Sequence, residues 1–150
     1  SSVALSALAD KLDPALAVFA DVVLNPAFPE GELERLRKQY LAALSQEKTQ
    51  PTSMALRVLP KLLYGQGHPY AQPLTGTGTE ATLKALTRAD LQAFHRTWFR
   101  PNQATLIAVG PVTVADLKPR IEKLFAGWER GDTPAKAIGP AAGPRGNVLY

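Results

Sequence analysis

Cysteine is absent from this sequence, which excludes a disulfide framework, a thiolate metal site, an iron–sulfur centre and a thiol nucleophile within it. Histidine is scarce: His68 and His95 are the only two, and neither His-x-x-x-His nor His-x-x-Glu-His occurs. A zinc site needs three or four N, O or S ligands, so these two rings do not make one by themselves. No Gly-x-Ser-x-Gly elbow offers a platform for a serine nucleophile. Long apolar runs are missing too. A stretch such as Ala104 to Val109 falls far short of the roughly 18 residues of a membrane span. Neither sign of charge dominates, with 17 basic against 13 acidic residues and a net charge of +4. With 45% hydrophobic residues, that charge is too small for a disordered chain.

What is present is enough for a core. The 150 residues suit one domain or two small ones. The chain opens on Ser1 and closes on the apolar run Asn147-Val148-Leu149-Tyr150, which reads as the beginning of a strand, so the expectation is a piece of a longer protein. Val3, Leu5 and Ala7 alternate with Ser2, Ala4 and Ser6 at the period of a half-buried strand. Asp13-Pro14 starts a helix with Leu12, Leu16, Phe19 and Val23 as its buried stripe, ended by Asn25-Pro26. A second helix is predicted from Glu30 to Lys48, with Leu33, Leu36, Tyr40, Leu41 and Leu44 inward. A third begins at Pro51, and Pro60 predicts a break or kink in it, since an interior proline costs about 3 kcal/mol in a regular helix.

The segment from Gly65 to Thr79, with its four glycines and two prolines, reads as a long surface loop or linker, followed by a short helix at Glu80 to Leu86. Thr87 with Asp90, and Thr113 with Asp116, each set a hydroxyl three residues before a carboxylate, an N-terminal capping signal. The helices they start should bury Leu91, Phe94 and Trp98, and Leu117, Ile121, Leu124 and Phe125. Between them Ala104 to Gly110 reads as a strand buried on both faces, with another at Val148 beyond the Pro, Gly and Ala-rich run of 131–146.

The remaining chemical signals are weak. Gly76-Thr77-Gly78-Thr79-Glu80-Ala81 matches a Gly-x-Gly-x-x-Ala pattern, but no strand feeds it and no long helix receives a pyrophosphate. Arg35, Arg37 and Lys38 alternate with Glu32 and Glu34 as a solvated helix face does, and no aromatic residues interleave with them, so nucleic acid is not an expected partner.

A resemblance goes further. Leu24-Asn25-Pro26-Ala27-Phe28, Glu32-Leu33-Glu34-Arg35, Leu63-Tyr64-Gly65, His68-Pro69-Tyr70, Leu86-Thr87 with Asp90-Leu91 and Phe94, Pro101-Asn102 with Val109-Gly110, and Phe125-Ala126-Gly127-Trp128 follow one another along nearly the whole chain. In that order they resemble the insulinase or pitrilysin-like peptidases, the inverzincins. The resemblance implies an α+β fold of the metallopeptidase (LuxS/MPP-like) kind, a layered antiparallel or mixed sheet with packed helices, present as a fragment. It implies residues 1–75 as the C-terminal part of a first unit, 76–86 as a linker with a short helix, and 87–150 as the start of a second unit.

Catalytic members carry His-x-x-Glu-His on a helix, with a third ligand, a Glu, from the long helix after the Asn-Pro-x-Phe turn. Zinc there lowers the pKa of bound water and polarises the scissile carbonyl. Aligning Glu34-Arg35 with the family's acidic-Arg pair puts Ala43 at the ligand position and Leu36 at a nearby acidic one. Glu47 lies about one helical turn, roughly 6 Å, further along. The expectation is therefore a non-catalytic unit with no catalytic, cofactor-binding or metal-binding residue of its own, zinc residing in the catalytic unit of the parent family. Its expected partners are that catalytic unit, fused or separate, and a peptide substrate held in the shared chamber. The alternatives are a catalytic unit whose zinc motif lies upstream, with Glu47 as ligand, and a structural or assembly subunit without peptidase activity. The family points to the bacterial periplasm or a membrane-associated setting.

Overall fold

The computed structural model describes residues 1–141. The ordered elements are helices: α1 (Leu12–Leu24), α2 (Glu30–Glu47), α3 (Pro51–Tyr64), α4 (Glu80–Ala85), α5 (Arg88–Trp98) and α6 (Val114–Leu124), with short 3-10 turns at Ala9–Lys11, Pro69–Ala71 and Pro101–Gln103. Among the described residues there is no strand, which corrects the expected α+β sheet fold. The physical reason is that a strand is a pairing and not a local property. The alternation at Val3 to Ala7 and the run Ala104 to Gly110 have strand-like residues, yet no described neighbour forms a ladder with either. Ile107 and Val109 are 82% and 96% exposed, where burial on both faces was expected. The strand expected at Asn147 to Tyr150 lies outside the described residues.

Two compact units are formed. The first joins Ser1–Phe28 to Leu91–Pro134. In it α1 packs on α6, with Phe19 edge-on to Phe125 at 6.3 Å. Leu16, Ala20 and Val23 are the buried stripe of α1, spaced as a helix face requires. Asn25 closes α1 through its side-chain amide, which donates to Asp21 at 3.0 Å. Phe28 then takes φ of +44°, a region costly for a residue with a Cβ, and its ring meets His95 edge-on at 6.0 Å. The expected inward face of α5 is rotated. Phe94 and Trp98 are 48% and 40% exposed, and the half-buried residues between them are His95 and Thr97, with His95 Nε2 bonding the carbonyl of Val23 at 2.7 Å. The Trp128 indole N–H donates to the carbonyl of Phe99 at 3.0 Å. Asn102 and the backbone of Gly131 exchange two hydrogen bonds, at 3.1 and 3.3 Å, and the Arg100 side chain lies over Gly131, 2.8 Å from where a Cβ would stand.

The second unit is Pro29–Asp90, joined by the described part of the segment that begins at Ala135. Leu33 and Leu44 are the buried residues of α2, while Leu36 and Tyr40, expected inward, are largely exposed. Arg37 takes the inward place between them. Its side chain is 14% exposed and donates to the carbonyls of Leu83 and of Leu86, the latter at 2.6 Å, closing the C-terminal end of α4. Thus Arg37 leaves the solvated basic face to which the sequence assigned it. α4 itself starts on a reciprocal cap between Thr79 and Thr82. The cap at the start of α5 forms as the sequence indicates: the Asp90 amide donates to Thr87 Oγ1 at 3.3 Å, and the Thr87 amide to Asp90 at 2.8 Å. In the first unit the Asp116 amide donates to Thr113 Oγ1 at 3.2 Å in the same way.

Where a break or kink is expected, α3 runs through Pro60 as one helix, without a break. Proline removes the N–H that would bond the carbonyl four residues earlier, here Leu56. That carbonyl is instead taken by the amide of Leu74 at 3.1 Å, and the Pro60 side chain is fully buried. The helix ends at Gly65, whose φ of +80° a residue with a side chain rarely adopts.

Candidate functional site

The polar centre of the second unit lies where the end of α2, the middle of α3 and the loop before α4 meet. Glu47 projects from the last turn of α2 and Arg57 from α3, with side chains 16% and 14% exposed. One Nη of Arg57 donates to Glu47 at 2.9 Å, to Thr77 at 3.0 Å and to Thr75 at 3.3 Å. Its other Nη donates to the carbonyl of Gly78 at 2.7 Å. The Thr77 hydroxyl in turn donates to Glu47 at 2.9 Å and lies 2.9 Å from that of Thr75. Two charges shielded from water are costly unless paired and hydrogen-bonded, and here they pair with each other and bond the loop.

The electrostatics follow. Partial burial pushes the Glu47 carboxyl up, but the hydrogen bonds from Thr77, Arg57 and Thr75 and the Arg57 charge outweigh it and hold the group below its ordinary value. An ionised, internally neutralised carboxylate of this kind is a clasp for the loop, with Oε2 held by both Arg57 and Thr77. The segment expected as a free surface loop or linker is thereby pinned, and Ala71 within it is buried.

That geometry bears on the zinc ligand position. Ala43 has no donor atom, Leu36 is 40% exposed and apolar, and Glu47 is taken up by Arg57 and Thr77. These residues do not fit a zinc ion. Among the described residues no three His, Asp or Glu side chains converge. Glu34 and Arg35, the pair that sets the alignment, are engaged along α2, Glu34 with Arg37 at 3.1 Å and Arg35 with Glu32 at 2.8 Å.

The two histidines fall in different units and each is engaged locally. His68 accepts the Tyr70 amide at Nδ1, 3.1 Å, so its hydrogen sits on Nε2, which donates to the carbonyl of Gly139 at 3.0 Å. The Tyr64 ring stacks on it at 5.2 Å. His95 is held by Val23 and by Phe99, 4.7 Å away between ring centres. The Gly76 to Ala81 pattern forms the clasped loop and a six-residue helix, with Thr79 spent on capping. No helix among the described residues is long and apolar enough to cross a membrane.

Sequence reasoning missed the clasp because its parts stand 10, 20 and 30 residues apart. The available signal was Thr75-x-Thr77 beside Gly76 and Gly78, hydroxyls in a backbone free to turn them inward.

Comparison with known proteins adds a second line. Residues 85–147 match the family described as "Peptidase M16 inactive domain". The solved structure of a peptidase M16 inactive domain from Pseudomonas fluorescens superposes with a TM-score of 0.78 and 34% identity, over 91% of this chain and 32% of that one. An "uncharacterized zinc protease" of Rickettsia bellii is 24% identical over 88% of the chain and 32% of its own length. Cytochrome b-c1 complex subunit 1 of Bos taurus is 26% identical over 82% of the chain and 25% of its own length. The chain thus spans between a quarter and a third of the length of these relatives.

Proposed function

We propose, from a chain that is related to the M16 zinc peptidases through their inactive domain, that it works as part of a non-catalytic unit, enclosing peptide substrate for a catalytic unit beside it. The observation that carries this reading is the fate of Glu47. The carboxylate nearest the family's ligand position is neutralised by Arg57 and used to fix a loop, while Ala43 stands at the ligand position itself. The cavity wall would be helical scaffold from this chain, and zinc, its bound water and the acid–base chemistry would come from the partner unit. A sequence division near residues 76–86 between two peptidase-like units is supported by the inactive-domain match, which begins at residue 85. A periplasmic or membrane-associated setting remains part of the proposal, tested by cell fractionation.

A second reading has one observation in its favour. Similarity to a subunit named for the cytochrome b-c1 complex supports a structural or assembly role without peptide hydrolysis. Co-purification followed by hydrolysis of an internally quenched peptide separates the two. The substrate-enclosing role requires that the full-length protein bind a unit carrying His-x-x-Glu-His and that hydrolysis fall when it is removed. A stable complex with unchanged hydrolysis on its removal would favour the structural role.

A further inference from the structure

Beside the clasp, a cleft of about 340 Å³ opens along one stripe of α3. Met54, Arg57, Val58 and Lys61 line it at the i, i+3, i+4 and i+7 spacing of one helix face, with Pro73 and Lys48 opposite. Its size is at the lower end of small-ligand sites, and none of its lining residues is acidic. Met54, Val58 and Pro73 give it an apolar floor, and the cations stand around that floor. Arg57 is balanced by Glu47 at 2.9 Å, and Lys48 reaches Glu80 at 3.5 Å, a carboxylate it shares with Lys84 at 2.8 Å. Lys61, on the exposed rim, has no acidic partner among the described residues. The walls are held in place before anything binds, by the Arg57 bonds to Thr75, Thr77 and Gly78 and by the Leu74 amide on Leu56.

We propose that this cleft takes a carboxylate joined to an apolar group, with the carboxylate at Lys61 and the apolar group on Met54, Val58 and Pro73, the source being the free C-terminal end of a peptide. The carboxylate chemistry stands on the cleft alone; the peptide as its source rests on the substrate-enclosing role. An unpaired Lys61 and a Lys48 that shares its carboxylate, over an apolar floor, favour an anion with a hydrophobic body over a cation.

The test is fluorescence anisotropy on the full-length protein with a labelled hexapeptide ending in leucine, as the free acid and as the C-terminal amide, and with octanoate as competitor. The free acid should bind about tenfold more tightly than the amide, with an affinity that falls as salt rises. Lys61→Gln should remove that preference, Lys61→Arg should keep it, and a matched thermal melt should show both variants folded. Equal binding of acid and amide, an unchanged preference in Lys61→Gln, or no saturable binding of either acid would overturn the site. Octanoate binding without peptide binding would overturn the peptide source and leave the enclosing role to its own hydrolysis assay.

Discussion

The amide of Leu74 donates to the carbonyl of Leu56 at 3.1 Å, the acceptor that Pro60 leaves open inside α3. A residue that costs about 3 kcal/mol in an isolated helix interior is here made into an attachment point for a loop. Pro60→Ala restores an N–H that competes for the Leu56 carbonyl and also trims a fully buried ring. The Leu74 amide should then exchange with solvent at least about tenfold faster, a change of about 1.4 kcal/mol in local opening. Hydrogen exchange followed by NMR reads this directly, and unaltered protection at Leu74 would contradict the role assigned to Pro60.

The Glu47–Arg57 pair should behave as a shielded ion pair and not as a surface one. Arg57→Ala strands the Glu47 carboxylate and is expected to lower the urea midpoint, since breaking one partner of a shielded pair is more costly than removing both. The double variant Glu47→Gln/Arg57→Met should recover part of that loss. Strict additivity of the two changes would mean that the pair is not coupled.

Arg37 makes a similar prediction at the end of α4. Arg37→Met keeps the aliphatic stem but withdraws the donors to the Leu83 and Leu86 carbonyls. A loss of about 1–3 kcal/mol is expected for leaving partly buried acceptors unpaired. Arg35→Met, on the exposed side of the same helix, should change stability by under about 0.5 kcal/mol.

Acid should destabilise the fold, and the sign follows from three carboxyls held below their ordinary values. Glu80 is lowered by the hydrogen bond and charge of Lys84 and then of Lys48, Asp90 by the hydroxyl and amide of Thr87, and Glu47 by bonds that outweigh its burial. A carboxyl depressed in the folded state takes up a proton more readily when unfolded. Its stabilisation is therefore complete above the unfolded value, near pH 4, and lost as pH falls through the folded one. Thermal midpoints should decline below about pH 4, and Asp90→Asn should flatten part of the decline. A midpoint that rises on acidification would contradict these assignments.

The helices were legible because their signals are local. Leu16 and Val23 repeat at helical spacing, Asn25-Pro26 ends α1, and Thr87 with Asp90 and Thr113 with Asp116 cap where their spacing says. The errors arose where the outcome depends on distant chain. Ala104 to Val109 has strand residues without a described partner strand, the Leu56 carbonyl that Pro60 leaves open in α3 is taken by distant Leu74, and Arg37 turns inward to the carbonyls at the end of α4. α5 shows the same limit, since His95 and not Phe94 or Trp98 faces the half-buried side once Val23 offers a carbonyl. The candidate site was legible as an absence of ligand atoms at Ala43 and Leu36, and not as the clasp that occupies Glu47.

The central claim is that Glu47 holds a loop through Arg57 and holds no metal. Zinc content, measured by mass spectrometry on the purified full-length protein together with the catalytic unit proposed to pair with it, tests it most directly when Glu47→Gln is compared with the natural sequence. The account predicts the same zinc stoichiometry in both, with only a loss of stability in the variant. A loss of one zinc equivalent in a variant that remains folded would make Glu47 a ligand and this unit a catalytic one.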